Sequence, residues 1–204
     1  MTDRRTQILQ AATRRIARDG VRGMRVTDVA EEAGVSPGLL YYHFTDRAGL
    51  LESAMEHIND HAREARSTDQ PPESAFGELE QQLLGELDDD HEVRGNSAAW
   101  NELRALAVFE ENLREPLART TATWVEEIAR VVAAVQAERG APTPDTDPSR
   151  TAMILTALVE GLSNRWLAEG LSTEQARSLL SEAAGRLVHV SSDHTGCSHT
   201  SAQP

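Results

Sequence analysis

Ser36, Pro37, Gly38 and Leu39 open one short segment of the chain, and Tyr41, Tyr42 and His43 follow within a turn. A serine followed by proline suits a helix N-cap and its first helical position. The small residues behind them leave backbone N–H groups free to approach an anion closely. The tyrosine and histidine tips lie in reach of phosphate oxygens. Ahead of this segment, Ala30 stands four residues before Gly34, so a small side chain faces a turn at which glycine permits a sharp reversal. Val29, Val35 and Leu40 are spaced to lock two short helices at a steep angle. Such a helix-turn-helix sets its second helix in the major groove of double-stranded DNA.

A second group of residues suggests small-molecule chemistry. The chain is poor in aromatics, yet Trp100, Phe109, Trp124 and Trp166 lie near Asn101, Glu102, Glu127, Glu160 and Asn164 in sequence. Aromatic faces beside a carboxylate hold a quaternary or protonated amine. A pocket of Trp100, Glu102, Leu103, Phe109, Trp124, Glu127, Glu160, Asn164 and Trp166 is therefore expected, for a small cationic or amphipathic organic effector. Tryptophans in the core with glutamates on the surface would give the same sequence, and both readings are open.

Catalytic and metal chemistry find less support. His57 and His61 are four apart, a spacing that can bind a metal, but Ile58 follows His57 where a His-Glu-x-x-His site needs glutamate. His194, Cys197 and His199 are ligand types in a polar tail that offers no fourth ligand. There is no P-loop, no Gly-x-Ser-x-Gly elbow and no dinucleotide fingerprint. No cofactor or resident metal is expected, and a metal-dependent enzyme ranks last among the alternatives.

The elements that must position these residues are helices. Apolar residues recur at helical spacing over 3–19, 26–33, 37–44, about 47–66, 73–87, 97–113, 116–139, 149–169 and 173–190. Gly20 stands where a C-cap would end the first helix, and Asp88, Asp89 and Asp90 close the fifth. Residues 140–148 form a proline-rich connector, and 191–204 lack periodicity and read as a disordered tail. No alternating strand pattern occurs, so the fold class is all-α with about nine helices.

Charge is divided along the chain. The net charge is −13, yet residues 1–26 hold seven arginines against Asp3 and Asp19. All 20 basic residues are arginine. A basic head on an acidic body binds phosphate locally while the body repels it, which favours a well-fitted DNA site over indiscriminate coating. No stretch approaches the ~20 apolar residues of a membrane span. The N-terminus has no apolar signal core and Cys197 is the only cysteine, so a cytoplasmic location without disulfides or a membrane partner is expected.

The string from Ala30 to Phe44, with Gly34, Val35, Ser36, Gly38, Tyr41 and Phe44 in register and Arg47 three residues on, resembles the helix-turn-helix of TetR-type transcriptional regulators. Trp100-Asn101-Glu102-Leu103-Arg104 and Ala157-Leu158-Val159-Glu160-Gly161-Leu162 look like the C-terminal domain of the choline-responsive BetI-type branch. The resemblance implies DNA contacts from Ser36, Pro37, Gly38, Tyr42 and His43, with Arg47 in place of a phosphate-binding lysine. Arg25 replaces a threonine that often touches phosphate, and Leu39 would offer only an apolar contact. Tyr41 and Phe44 have internal packing open to them, and Arg4 and Arg5 are either groove contacts or a solvated basic end.

The resemblance further implies a homodimeric repressor on a palindromic operator, released by an effector, with the fourth helix as lever. Its divisions are 1–47 for DNA binding, 48–190 for effector binding and dimerisation, and 191–204 as tail. Independently, the segment from Thr151 to Leu167 is apolar on more than one face, and the last helix carries a similar stripe. A two-fold interface of Leu155, Leu158, Val159, Leu162, Leu179, Leu180, Ala183 and Leu187 is expected. A helical interaction module that has lost DNA binding is the alternative.

Overall fold

The computed structural model describes residues 3–66, 72–138 and 147–189, and among them every regular element is helical. The order is α1 (Arg4–Gly23), α2 (Val26–Glu32), α3 (Pro37–His43), α4 (Arg47–Arg66), α5 (Ala75–Leu84), α6 (His91–Ala107), a 3-10 turn (Glu111–Leu113), α7 (Arg114–Glu138), α8 (Pro148–Leu167) and α9 (Thr173–His189). The tail with His194, Cys197 and His199, and nearly all of the connector, lie outside the described residues. No described helix is long and apolar enough to cross a membrane.

Most helix ends obey local chemistry. Gly20 takes φ 70° and ψ 161°, breaking α1 where the sequence places its C-cap. Ser74 caps α5 by accepting from the Gly77 N–H, and Asp147 caps α8 ahead of Pro148. Three boundaries differ clearly from expectation. The acidic run does not close the fifth helix: α5 stops at Leu84, and Asp90 instead caps α6 by accepting from the Glu92 and Val93 N–H groups. A carboxylate favours a helix N-terminus, so α6 starts six residues earlier than its apolar periodicity suggests. It also stops at Ala107, and 111–113 form a separate turn before α7.

Two hydrophobic cores result. The first joins Ile8 and Ile16 of α1, Val29 and Ala30 of α2, Leu40, Phe44, and Leu50, Leu51 and Met55 of α4 with Ala99, Leu103 and Leu106 of α6. The second is built from α5, α7, α8 and α9 around Leu79, Leu83, Ile128, Val132, Leu155, Trp166 and Leu180. Helix α6 thus shares a core with α1–α4, and the apolar packing does not divide at residue 47. Polar contacts pin α4 against α7: Arg119 reaches Glu52 (3.1 Å) and Glu56 (2.9 Å), and Arg63 reaches Glu127 (3.2 Å). The Arg119 pairs are exposed and add little stability.

Leu155, Val159, Leu162 and Leu180 face this second core and are buried inside the subunit, so they do not reach a surface that a partner could cover. A helix apolar on two faces spends one of them on its own core, and these residues belong to that face. The outward apolar face is Met153, Ile154 and Leu179, all exposed, with the half-buried Leu158, Ala183 and Leu187 beside them.

Candidate functional site

The α2–α3 turn is held almost entirely by its backbone. Gly34 adopts φ +65°, the Val35 N–H donates to the Ala30 carbonyl (2.9 Å), and the Gly34 N–H donates to the Glu31 carbonyl (3.0 Å). This is a Schellman closure with glycine at its left-handed position. The Ser36 hydroxyl then accepts from the Leu39 N–H at 3.2 Å, and Pro37 starts α3. Leu40 and Phe44 anchor the helix in the first core. The opposite side of α3 is open: Ser36, Pro37 and Gly38 are exposed, Tyr41 is half exposed and Tyr42 is 82% exposed. His43 is half-buried, its ring 5.4 Å from that of Tyr42 in an edge-on arrangement. Leu39 is half-buried as well. Of the residues expected to meet DNA, Ser36, Pro37, Gly38 and Tyr42 are therefore open to solvent on α3, Leu39 and His43 only partly, and Phe44 is packing.

The arginines of the head are not equally available. Arg14 and Arg15 pair with Glu32 at 2.9 and 2.8 Å, and Arg15 and Arg18 pair with Asp19. Arg18, first among the causes, holds the Asp19 carboxyl below its usual range. Arg5 lies over the Phe44 ring and donates to the Ser53 hydroxyl, and Arg4 donates to Gln7. Arg22 and Arg25 are exposed and make no ion pair among the described residues. Arg25 stands at the N-cap of α2.

Arg47 and Glu102 meet at the break in α1. The Arg47 guanidinium donates to the Val21 carbonyl at 2.7 Å, and the Glu102 carboxylate accepts from the Val21 N–H at 3.0 Å. In this position Arg47 satisfies a helix-end carbonyl and ties α4 to α1. Glu102 satisfies the Val21 N–H, ties α6 to α1, and does not line the cavity between α4, α6, α7 and α8.

Between the two cores lies a small cavity of about 70 Å³, bounded by α4, α6, α7 and α8. Of the residues expected in a pocket, Trp100, Trp124 and Glu160 line it. Trp124 is only 7% exposed, and its buried Nε1–H has no hydrogen-bond partner. Asn101 bridges to the Ser163 hydroxyl at 3.2 Å, joining α6 to α8. Arg104 sits 2.8 Å from the Glu160 carboxylate and 5.7 Å from the centre of the Trp100 ring. Burial pulls the Arg104 guanidinium below its usual value and pushes the Glu160 carboxyl above the usual range; each partner's charge offsets only part of this.

The other expected pocket residues are elsewhere. Leu103 is buried in the first core, and Phe109 lies beyond the end of α6 and is 75% exposed. Glu127 pairs with Arg63, and Asn164 faces solvent. Trp166 is in the second core, its Nε1–H donated to Thr173 and its face covered by Arg94. Arg104 is the residue that the expectation missed. Its signal was present: it is one helical turn after Trp100, whereas Glu102 projects from nearly the opposite face. His57 and His61 line a separate cleft of about 740 Å³, where His61 Nε2 is 3.3 Å from Glu92. No group of three ligands able to hold a metal occurs among the described residues.

Residues 8–54 match the family described as bacterial regulatory proteins, tetR family, and residues 77–189 match the BetI-type transcriptional repressor C-terminal family. The transcriptional regulator TtgR of Pseudomonas putida is 29% identical over 170 residues, 80% of each chain. The regulator BetI of Serratia proteamaculans is 27% identical over 181 residues, covering 86% of this chain and 87% of that one. A crystal structure from Rhodococcus sp., assigned to the TetR family, is 56% identical with a TM-score of 0.86, covering 92% of this chain and all of the other. A regulator from Saccharomonospora viridis, crystallised with choline, shares the fold at 24% identity and a TM-score of 0.74, covering 87% of this chain and 93% of that one.

Proposed function

This chain belongs to the TetR family of bacterial transcriptional regulators, and from that membership we propose that it is a homodimeric repressor of a palindromic operator. The observation that carries this reading is α3 itself. Its inner side is fixed in the core by Leu40, while Ser36, Pro37, Gly38 and Tyr42 stand together on the outside. Capped N–H groups and small side chains admit the DNA backbone closely, and Tyr42 and His43 add polar tips. Arg25 supplies the nearby phosphate contact. Leu39 fits a thymine methyl.

Two copies are required because one seven-residue helix reads too little sequence, and a two-fold axis places two such helices one DNA turn apart. The exposed face of Met153, Ile154 and Leu179, with Leu158, Ala183 and Leu187, is the surface proposed to supply that axis. The effector site is the cavity between the cores. Tryptophan faces and the Glu160 carboxylate suit a small organic cation, the chemical class to which the ligand of the Saccharomonospora protein belongs. Binding would release the operator only by favouring a conformation with lower DNA affinity.

Fluorescence anisotropy on the gene's own upstream region, together with sedimentation of the complex, tests the reading. The expected result is a saturable, salt-dependent complex of two chains per duplex. Binding that fails at low salt, or a complex with one chain per duplex, would overturn it.

A further inference from the structure

The site that should receive a cation already holds one. The Arg104 guanidinium lies over the Trp100 ring and against the Glu160 carboxylate, the aromatic-plus-carboxylate seat that a small organic cation would use. Arg104 and Glu160 also border a second space, an open groove of about 1120 Å³ between α7 and α8. They therefore stand between the inner cavity and the surface. We propose that Arg104 is a built-in competitor for the effector: the ligand takes its place on Trp100 and Glu160, and the arginine side chain turns out into the α7–α8 groove.

Four features favour this exchange. The contact is close but poorly aligned, for Arg104 Nη2 is buried and makes no hydrogen bond of ordinary geometry although Glu160 is 2.8 Å away. Both groups lose solvation that their mutual attraction does not fully replace, so the pair is a weak lock. The cavity is also small: about 70 Å³ is well under the ~300 Å³ at which ligand pockets begin, and the volume of the guanidinium must be added before an organic cation fits. The groove gives the displaced side chain water for its charge and an apolar wall of Leu117 and Val125 for its stem.

The competitor role rests on the proposed cation site and goes one step past it. If Arg104 competes, the apparent affinity for a cation is lowered by the fraction of molecules in which the arginine is already out. Calorimetry with tetramethylammonium on the full-length wild type and on Arg104→Gln, Arg104→Met and Arg104→Lys measures that fraction. Arg104→Gln and Arg104→Met are expected to bind about tenfold tighter or better, and Arg104→Lys to stay near wild type because it keeps a tethered cation. Binding that appears only in Arg104→Gln or Arg104→Met also supports the proposal. Equal or weaker binding in both neutral variants, with wild type still binding, overturns the competitor and leaves the cation site standing. No binding in any of the four proteins removes the cation site and the competitor together. Acetate binding that Arg104→Gln abolishes would make Arg104 a ligand for anions and also refute the proposal. Arg104→Met keeps the apolar stem, so the comparison survives should Arg104→Gln fail to fold.

Discussion

Gly20→Ala probes the junction where α1, α4 and α6 meet. With φ 70° and ψ 161°, Gly20 occupies a region nearly closed to residues with a Cβ, and alanine there costs about 1–3 kcal/mol in backbone strain. The added Cβ would lie 3.0 Å from Glu102 Oε2, the oxygen that accepts from the Val21 N–H. Moving that carboxylate leaves the amide short of a partner, a further ~1 kcal/mol at a part-buried site. The expected loss is thus about 2–4 kcal/mol, a large share of the ~5–15 kcal/mol that holds a typical domain. Gly34→Ala is the control, because Gly34 also has positive φ (+65°) but a methyl group there would meet nothing within 4 Å. It should cost only the left-handed penalty of about 1–2 kcal/mol. Urea unfolding at equal protein concentration, followed by tryptophan emission, gives both values. In a Glu102→Ala background the Gly20→Ala penalty should shrink, since the crowded oxygen is gone. Equal losses at the two glycines, with no change in that background, would show that Glu102 does not clamp the break.

Arg25→Ala should lower the slope of log affinity against log salt by about 0.9, whereas Arg14→Ala, already neutralised by Glu32, should leave it unchanged; equal drops in anisotropy titrations would contradict the division of the arginines. Tyr42→Phe should weaken operator binding about fivefold with the slope intact, because a neutral hydroxyl displaces no counterion. At 82% exposure the same change should leave the melting temperature in place, and a large shift would mark Tyr42 as structural. Arg47→Ala should cost about 1–2 kcal/mol of stability through the lost bond to the Val21 carbonyl and leave the salt slope alone. A slope that falls by about one unit would place Arg47 on phosphate instead.

The reading head was legible because its signals are local. Gly34, Ser36 and Pro37 each act on the backbone within a few residues, so spacing alone places the turn and the cap. The same holds for Gly20, whose conformation ends the regular part of α1. The acidic run was ambiguous because aspartate is compatible with a loop after one helix and with the cap of the next, and its periodicity carries no direction. The pocket was legible only in part. Nearness in sequence grouped Trp100 with Glu102, but at 100° per residue they leave α6 on nearly opposite sides, and Glu102 goes to Val21. Phe109 follows the end of that helix, where no face is continued. The interface expectation failed at Leu155, Val159, Leu162 and Leu180 for a related reason: an apolar residue on a two-faced helix does not say which neighbour it meets.

The position of α6 also changes how a ligand could act on the head. Expectation assigned the lever to α4 alone, but α4 and α6 are packed in one core with α1–α3, and Glu102 and Arg47 grip the same residue, Val21. A close-packed core moves as a body rather than deforming by degrees. Across its other side, α6 meets α8 through Asn101–Ser163 and Arg104–Glu160, and these contacts border the cavity. A shift of α6 against α8 is therefore a shift of α3 against the surface proposed for dimerisation, and in the proposed dimer it would change the separation of the two α3 helices. Arg119 and Arg63 also hold α4 to α7, the Arg63–Glu127 pair lying beside the cavity-lining Ala62. Under the proposed exchange, a cation bulkier than the guanidinium would press α6 away from α8 at this seam.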